Sequence, residues 1–306
     1  MNTQVKPKPA ERETKPAELE TRPAILDLVE DTQHQWERLV KLDLVNEIAA
    51  LNVKGYCVVP PEKVGPMADV IEARDALLKL AKESGAADRN FRDFEAGLAF
   101  ALYHCVSRGR IFEKWAVNPT ILAIARYLVG DRMILNNNIA WVKGKTEETL
   151  GIHTDSMMFP NPLLPYLSRV NVTVVMTDYT LEGGCIGVVP GSHREQRHPT
   201  VWEEKLFESM VPVECPAGSL IIIPGNTWHG AFPKKTEGLR ISMSLGYSRI
   251  FSVPAITHDI DPAILERNGE DFRMLMGGHL WTRFGPEGPT LDKHFATYRT
   301  QRSHYA

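Results

Sequence analysis

His153 and Asp155 stand two residues apart in GIHTDSMMF, and His229 follows 76 residues later in IIIPGNTWHGAF. On an extended strand, side chains two residues apart face the same side, so this imidazole and carboxylate can reach one ion while Thr154 points away. His229 comes just after a strongly apolar run whose end is expected near the mouth of a barrel. Two histidines and one carboxylate on one face of an ion leave the opposite positions open, the donor set that suits Fe(II) in oxygenases. An H-x-D pair alone is common by chance and marks a hydrogen-bonded loop more often than a pair of ligands.

Arg240 strengthens the case. It lies 11 residues past His229, beyond a hairpin turn expected in PKKTEG. In LRISMSLGY the alternation puts Arg240, Ser242 and Ser244 on one face, and Leu239, Ile241, Met243 and Leu245 on the other. An arginine facing the inside of a barrel needs an anionic partner. A structural ion pair with Asp or Glu would serve. A dicarboxylate ligand fits better, because the planar guanidinium matches a carboxylate in bidentate fashion and Ser242 can add a hydrogen bond.

These residues need a scaffold, and 306 residues are enough for one enlarged domain with a sizeable core. Hydrophobic residues make up 43% and charged residues 24%, with a formal net charge of -3, so a general nucleic-acid binder is not expected. A small-molecule partner is. Cys57, Cys105, Cys185 and Cys215 are spaced 48, 80 and 30 apart, which matches neither a zinc ribbon nor a disulfide framework. With no signal-peptide core and no apolar run of about 18 residues, the expected location is cytoplasmic and off the membrane.

Residues 1–24 mix Pro7, Pro9, Pro16 and Pro23 with Lys, Arg and Glu, the composition of a disordered tail. Apolar residues at helical spacing then predict a helix from Ile25 to about Leu51, stopped by Gly55, and a short strand at Tyr56 to Val59. Further helices are predicted over Val64 to Glu83, Phe91 to Val106 and Pro119 to Val129, the last with Asn118 as N-cap. After Gly130 the pattern changes to short β-rich runs separated by Gly, Pro and Asn turns. The expected fold is an all-β core, a double-stranded β-helix or cupin-like jelly roll, with N-terminal helices as a buttress. In one domain over 25–306, the helical part takes about 25–130 and the jelly-roll core about 131–250. Residues 251–306 are expected to cover the mouth or form a subunit contact, such as that of a homodimer.

The HTD at 153–155, EGGCIGVVPGSH at 182–193, the apolar strand leading into WHGAF at 228–232 and the arginine at 240 together resemble the phytanoyl-CoA dioxygenase family. This family uses Fe(II) and 2-oxoglutarate, and the resemblance spans roughly Tyr56 to Arg249. It implies that His153, Asp155 and His229 bind Fe(II), and that Arg240, helped by Ser242, pairs with the distal carboxylate of 2-oxoglutarate. It places Asn138 and Cys185 where relatives make co-substrate contacts. The reaction it implies consumes O2 and 2-oxoglutarate, releases succinate and CO2, and oxidises a small organic substrate, with hydroxylation as the default outcome. Halogenating relatives replace the carboxylate ligand with Ala or Gly, so Asp155 argues for oxygenation.

Met157, Met158 and Phe159 in SMMFPNPLLPYLSR are candidates for lining a hydrophobic pocket, for example for a secondary metabolite; packing against the helices is the plainer reading. His193 and Glu195 form a rival H-x-E pair, but Pro190, Gly191 and Ser192 make that segment a turn, where residues two apart need not share a face. Two other readings remain: a cupin-like metalloenzyme that does not use 2-oxoglutarate, with Arg240 on the substrate's own carboxylate, and a non-catalytic barrel. Deleting residues 1–24 is expected to leave succinate release unchanged, and a large loss would place the tail in the site.

Overall fold

The computed structural model describes residues 24–83, 100–252 and 260–277. The helix expected from Ile25 to Leu51 is two helices, α1 (Ala24–Lys41) and α2 (Val45–Lys54). Between them Asp43 takes a left-handed conformation with φ 55°. Asp43 N–H bonds back to Val40 and Leu44 N–H to Leu39, and both leucines are fully buried. This is a Schellman end in which Asp stands where Gly is usual, so the periodicity alone did not reveal it. Gly55, at φ 81°, ends α2 as its position predicts.

Strand β1 (Cys57–Val59) and helix α3 (Met67–Glu83) follow. The helix expected over Phe91 to Val106 is corrected where it is described: Phe100–Tyr103 is strand β2, and Cys105–Ser107 is one short 3-10 turn. Residues 91–99 of that expectation lie outside the described residues. Its physical reason is pairing, since Phe100–Tyr103 completes the hydrogen bonds of a sheet edge, a gain that outweighs local apolar periodicity. The short helix α4 (Arg110–Ala116) precedes α5 (Pro119–Val129). Asn118 caps α5 through its side-chain oxygen, which accepts from Thr120 N–H at 3.0 Å and Ile121 N–H at 3.2 Å.

The β body comprises β3 (Met133–Lys143), β4 (Leu150–His153), β5 (Arg169–Val175), β6 (Ile186–Val188), β7 (Val211–Pro212), β8 (Leu220–Pro224), β9 (His229–Ala231) and β10 (Arg240–Arg249). A six-stranded sheet has the order β1-β8-β5-β10-β3-β2, and a four-stranded sheet the order β4-β9-β6-β7. From β4 to β10 the chain passes back and forth between the two sheets, the winding of a jelly roll, as the strand-like runs after Gly130 predict.

Side-chain alternation gives the large sheet two faces. Val170, Val172 and Val174 of β5, Ile222 of β8 and Ile241, Met243 and Leu245 of β10 join the main core with Phe112, Ile121, Ile124 and Leu128 of the helices. The opposite face looks toward the small sheet. At one end of that space Val175, Tyr179, Cys185, Val188, Val213, Cys215, Ile221 and Ile223 make a second apolar core.

The described part of the C-terminal stretch, with α6 (Pro262–Arg267) and α7 (Glu270–Leu275), packs on the helical layer. Arg267 and Asn268 bond the buried Glu113 carboxylate, and Arg126 pairs with Asp271. None of residues 260–277 lines the space between the sheets. No helix among the described residues is long and apolar enough to cross a membrane.

Asn118 also donates to the Val64 carbonyl at 3.0 Å, tying the start of α5 to the segment before α3. Asn118→Ala is expected to cost about 1–2 kcal/mol, read as a lower denaturant midpoint at unchanged slope.

Candidate metal centre

Strand β4 ends at His153, whose Cα partner across the small sheet is His229, the first residue of β9. The pairing brings the imidazoles together, with ring centroids 4.4 Å apart and planes tilted by 48°. Close approach of the strands requires Gly230, because a Cβ there would stand 2.4 Å from the Leu150 carbonyl oxygen. Asp155 lies two residues beyond the strand and opens a turn fixed by Ser156 N–H on the Gly225 carbonyl. The site spacing holds although the strand stops at His153. Thr154 turns away, and its hydroxyl lies 2.7 Å from His198 Nδ1.

His229 Nε2 is 3.7 Å from Asp155 Oδ2, and one ligand atom from each of His153, Asp155 and His229 falls within 4.8 Å of the others. His153 Nδ1 is 2.8 Å from the Gly151 carbonyl, and His229 Nδ1 is 3.0 Å from the Thr227 carbonyl. A carbonyl only accepts, so each Nδ1 carries the proton and each Nε2 keeps a lone pair aimed at the common centre. Burial, reinforced by the His229 charge, lowers the His153 pKa and favours this neutral form. For Asp155 burial acts to raise the pKa. The electrostatic influence of His229, Arg169 and His153, with a hydrogen bond from Asn171 Nδ2, outweighs it and keeps the carboxylate ionised. Two imidazole Nε2 atoms and one held carboxylate around a common centre fit a divalent cation.

The centre opens onto a cavity of about 320 Å³ between the sheets. Strand β10 gives it Arg240, Ser242 and Ser244, the face that alternation predicts. Strand β3 gives it Asn137, Ile139, Trp141 and Lys143, and β5 gives Asn171 and Thr173. Arg240 stands opposite Lys143 in the β10/β3 register. Its guanidinium donates to the Gly184 carbonyl and lies over the Tyr179 ring at 5.2 Å, while its Nε is buried without a partner among the described residues. Burial and the Arg240 charge lower the Lys143 pKa to about 8.

Two of the residues expected here lie elsewhere. Asn138 does not line the cavity: it is fully buried on the helix-facing side of β3, where its side-chain oxygen accepts from Val106 N–H. The unbroken pairing from Arg240 and Lys143 to Gly246 and Asn137 sets Asn138 opposite the core residue Leu245, and Asn137 faces the cavity instead. Cys185 is fully buried in the second apolar core, where burial raises its pKa to about 11. Its neighbour Ile186 lines the cavity.

Met158 and Phe159 line a separate cavity that shares Asp155, whereas Met157 is 67% exposed. His193 packs against Gly55, and with Arg194 it contacts the Asn52 carbonyl, a loop-fixing role. Sequence reasoning missed Asn171, Arg169, Trp141, Lys143 and Tyr179. The same alternation that selected Arg240 would have found Asn171 and Trp141 once β5 and β3 were paired with β10.

A His, Asp, His donor set between the sheets of a jelly roll defines a class, the metal-dependent oxygenases of double-stranded β-helix form. The phytanoyl-CoA dioxygenase (PhyH) family profile matches residues 51–242, well over half the chain, and the chain belongs to that family. It is a non-haem iron enzyme, a dioxygenase that takes Fe(II), 2-oxoglutarate and O2. The sequence is similar to dioxygenase af480 of Aspergillus fumigatus, 28% identical over 220 residues covering 69% of this chain and 68% of the relative. The fold is similar to that of HygX from Streptomyces hygroscopicus, crystallised with nickel and 2-oxoglutarate, at 20% identity and TM-score 0.57 over 74% of this chain and 94% of that one. It is also similar to SnoK, an α-ketoglutarate-dependent carbocyclase of nogalamycin biosynthesis, at 20% identity and TM-score 0.55 over 74% and 91%.

Asn171 positions Asp155, and losing such an outer partner typically weakens metal binding about 10- to 100-fold. Asn171→Ala is expected to show that loss in an Fe(II) titration, and Asp155→Ala a larger one. Wild-type affinity in Asp155→Ala would remove it from the ligand set.

Proposed function

We propose that this enzyme hydroxylates a small organic substrate with an apolar body, a secondary metabolite, and releases succinate and CO2. In this reading His153, Asp155 and His229 hold Fe(II), and the distal carboxylate of 2-oxoglutarate rests on Arg240 and Ser242. The observation that carries it is Arg240, a cavity-facing guanidinium whose buried Nε has no partner among the described residues, on the same cavity as the three candidate ligands. A guanidinium desolvated in this way is stabilised by a carboxylate that takes two of its N–H groups. The antibiotic-pathway neighbour SnoK supports a small-molecule substrate.

Bound Fe(II) supplies the redox chemistry by which O2 cleaves 2-oxoglutarate and oxidises the substrate. The protein does the rest. Gly151 and Thr227 carbonyls fix the imidazole tautomers, Asn171 orients Asp155, and Trp141, Ile139 and Ile223 keep the co-substrate cavity largely apolar between its polar ends. Lys143, directly across from Arg240, adds a second donor at the anionic end, with its pKa lowered to about 8 by burial and the Arg240 charge.

Anaerobic Fe(II) and 2-oxoglutarate should together give the weak visible charge-transfer band of a 2-oxoacid chelated to Fe(II), and its absence would sink this reading. Arg240→Ala should weaken 2-oxoglutarate binding roughly 10- to 100-fold while sparing Fe(II) affinity. Unchanged 2-oxoglutarate affinity would refute the assignment.

A further inference from the structure

A second cavity, of about 190 Å³, adjoins the metal centre on the side away from Arg240 and shares Asp155 with the first. Arg169, at the start of β5, is at its inner end. Along the cavity-facing side of β5, Thr173 and Asn171 line the first cavity and Arg169 the second. The Arg169 guanidinium lies over Gly246 of β10, within 3.0 Å of where a Cβ would stand, so the glycine makes room for it. Its Nε is buried without a hydrogen-bond partner, and no carboxylate among the described residues lies within ion-pair distance.

Arg169 does not serve the same anion as Arg240. It pairs in register with Ser248, eight residues along β10 from Arg240, a separation of about 26 Å along the strand. A five-carbon diacid held at Arg240 does not bridge that length. Charge counting agrees. A dication, the Asp155 carboxylate, a dianionic co-substrate and Arg240 sum to zero even before Lys143 is added, which leaves the Arg169 charge uncompensated in a partly desolvated place.

Asn136, Ser156, Ser168, Ser248 and Ser252 also line this cavity, and its large apolar side chains lie toward solvent. Met158 and Phe251 are 60% and 55% exposed at its opening, with Phe159 beside them. Tyr166 stands edge-on to Phe251 at 6.2 Å and extends the apolar rim. One cation inside and an apolar rim outside describe an amphipathic ligand.

We propose that Arg169 anchors a carboxylate of the substrate, which is therefore an organic acid with an apolar body. It binds with its acid group beside Asp155 and its body toward Met158 and Phe251. The planar fork would take a carboxylate or a phosphate, and the single positive charge matches the monoanionic carboxylate. The carbon that is oxidised then lies within a few bonds of the acid group. This deepens the proposed function and rests on its metal and co-substrate site.

The test uses 4-phenylbutyrate and 4-phenylbutan-1-ol, which share a body and differ in the acid. Binding of each to the full chain loaded with Zn(II) and 2-oxoglutarate is measured by ligand-observed NMR. Zn(II) and 2-oxoglutarate affinities are titrated separately for every variant, so failure of the metal site and failure of the anchor are read apart. The acid is expected to bind at least about 10-fold tighter than the alcohol, as a charge-assisted pair implies. Arg169→Gln should abolish the preference while leaving alcohol binding unchanged, and Arg169→Lys, which keeps the charge, should retain part of it. Equal affinities in the wild type, a preference that survives Arg169→Gln, or no acid binding at millimolar concentration would each overturn the proposal. So would an Arg169→Gln variant that loses 2-oxoglutarate instead, since the arginine would then serve the co-substrate.

Discussion

Strand β10 must satisfy two incompatible surroundings at once, and the organisation of the site follows from how it does so. Ile241, Met243, Leu245 and Tyr247 face the helical layer and are essentially dry. Arg240, Ser242, Ser244, Gly246 and Ser248 alternate with them on the side of the two cavities. A shift of one residue in register would put an arginine into the apolar core and leave isoleucine in a polar cavity, so the register is strongly specified. β10 sits at the centre of the large sheet between β5 and β3, and its register sets theirs. Asn171 and Trp141 reach the site because β10 fixes which residues lie beside Gly246 and Ser242.

The small sheet supplies a different constraint. Opposing His153 to His229 across a β pair places two titratable rings where both cannot be charged without repulsion. Backbone carbonyls at Gly151 and Thr227 resolve this by holding each proton on the outer nitrogen. The result is a preformed pair of lone pairs next to an ionised carboxylate. Such a group is costly to keep in a low-dielectric space without a cation, and it is a strong site with one.

The sequence carries the fold class and the order of its elements because the local signals agree with the packing. Asn118-Pro119 opens α5, Gly55 closes α2, and the apolar run at Leu220–Pro224 is a strand buried along its whole length. Where the reading failed, long-range pairing or an unusual residue decided. Asp43 ends α1 in a conformation that glycine normally signals. Phe100–Tyr103 is a strand only because the edge of β3 is available to it. Asn138 was given a co-substrate role by the family resemblance alone, whereas its pairing with Leu245 turns it toward the helices and leaves Asn137, opposite Gly246, on the cavity side. Cys185 was one residue away from Ile186, which does line the cavity.

Unpaired cations separate function from structure in this molecule. Arg267 and Arg126 have carboxylate partners in Glu113 and Asp271, and they tie the C-terminal helices to the helical layer. Among the described residues Arg240 and Arg169 have none, although each has a buried Nε and each faces a cavity that includes Asp155. Folding alone would favour a glutamate beside each, or a leucine in place of each. Desolvated charges left open on either side of one metal-ligand set are stabilised only when ligands arrive. The conflict between folding stability and local charge thus falls where two anions are to be held apart, one on each side of Asp155.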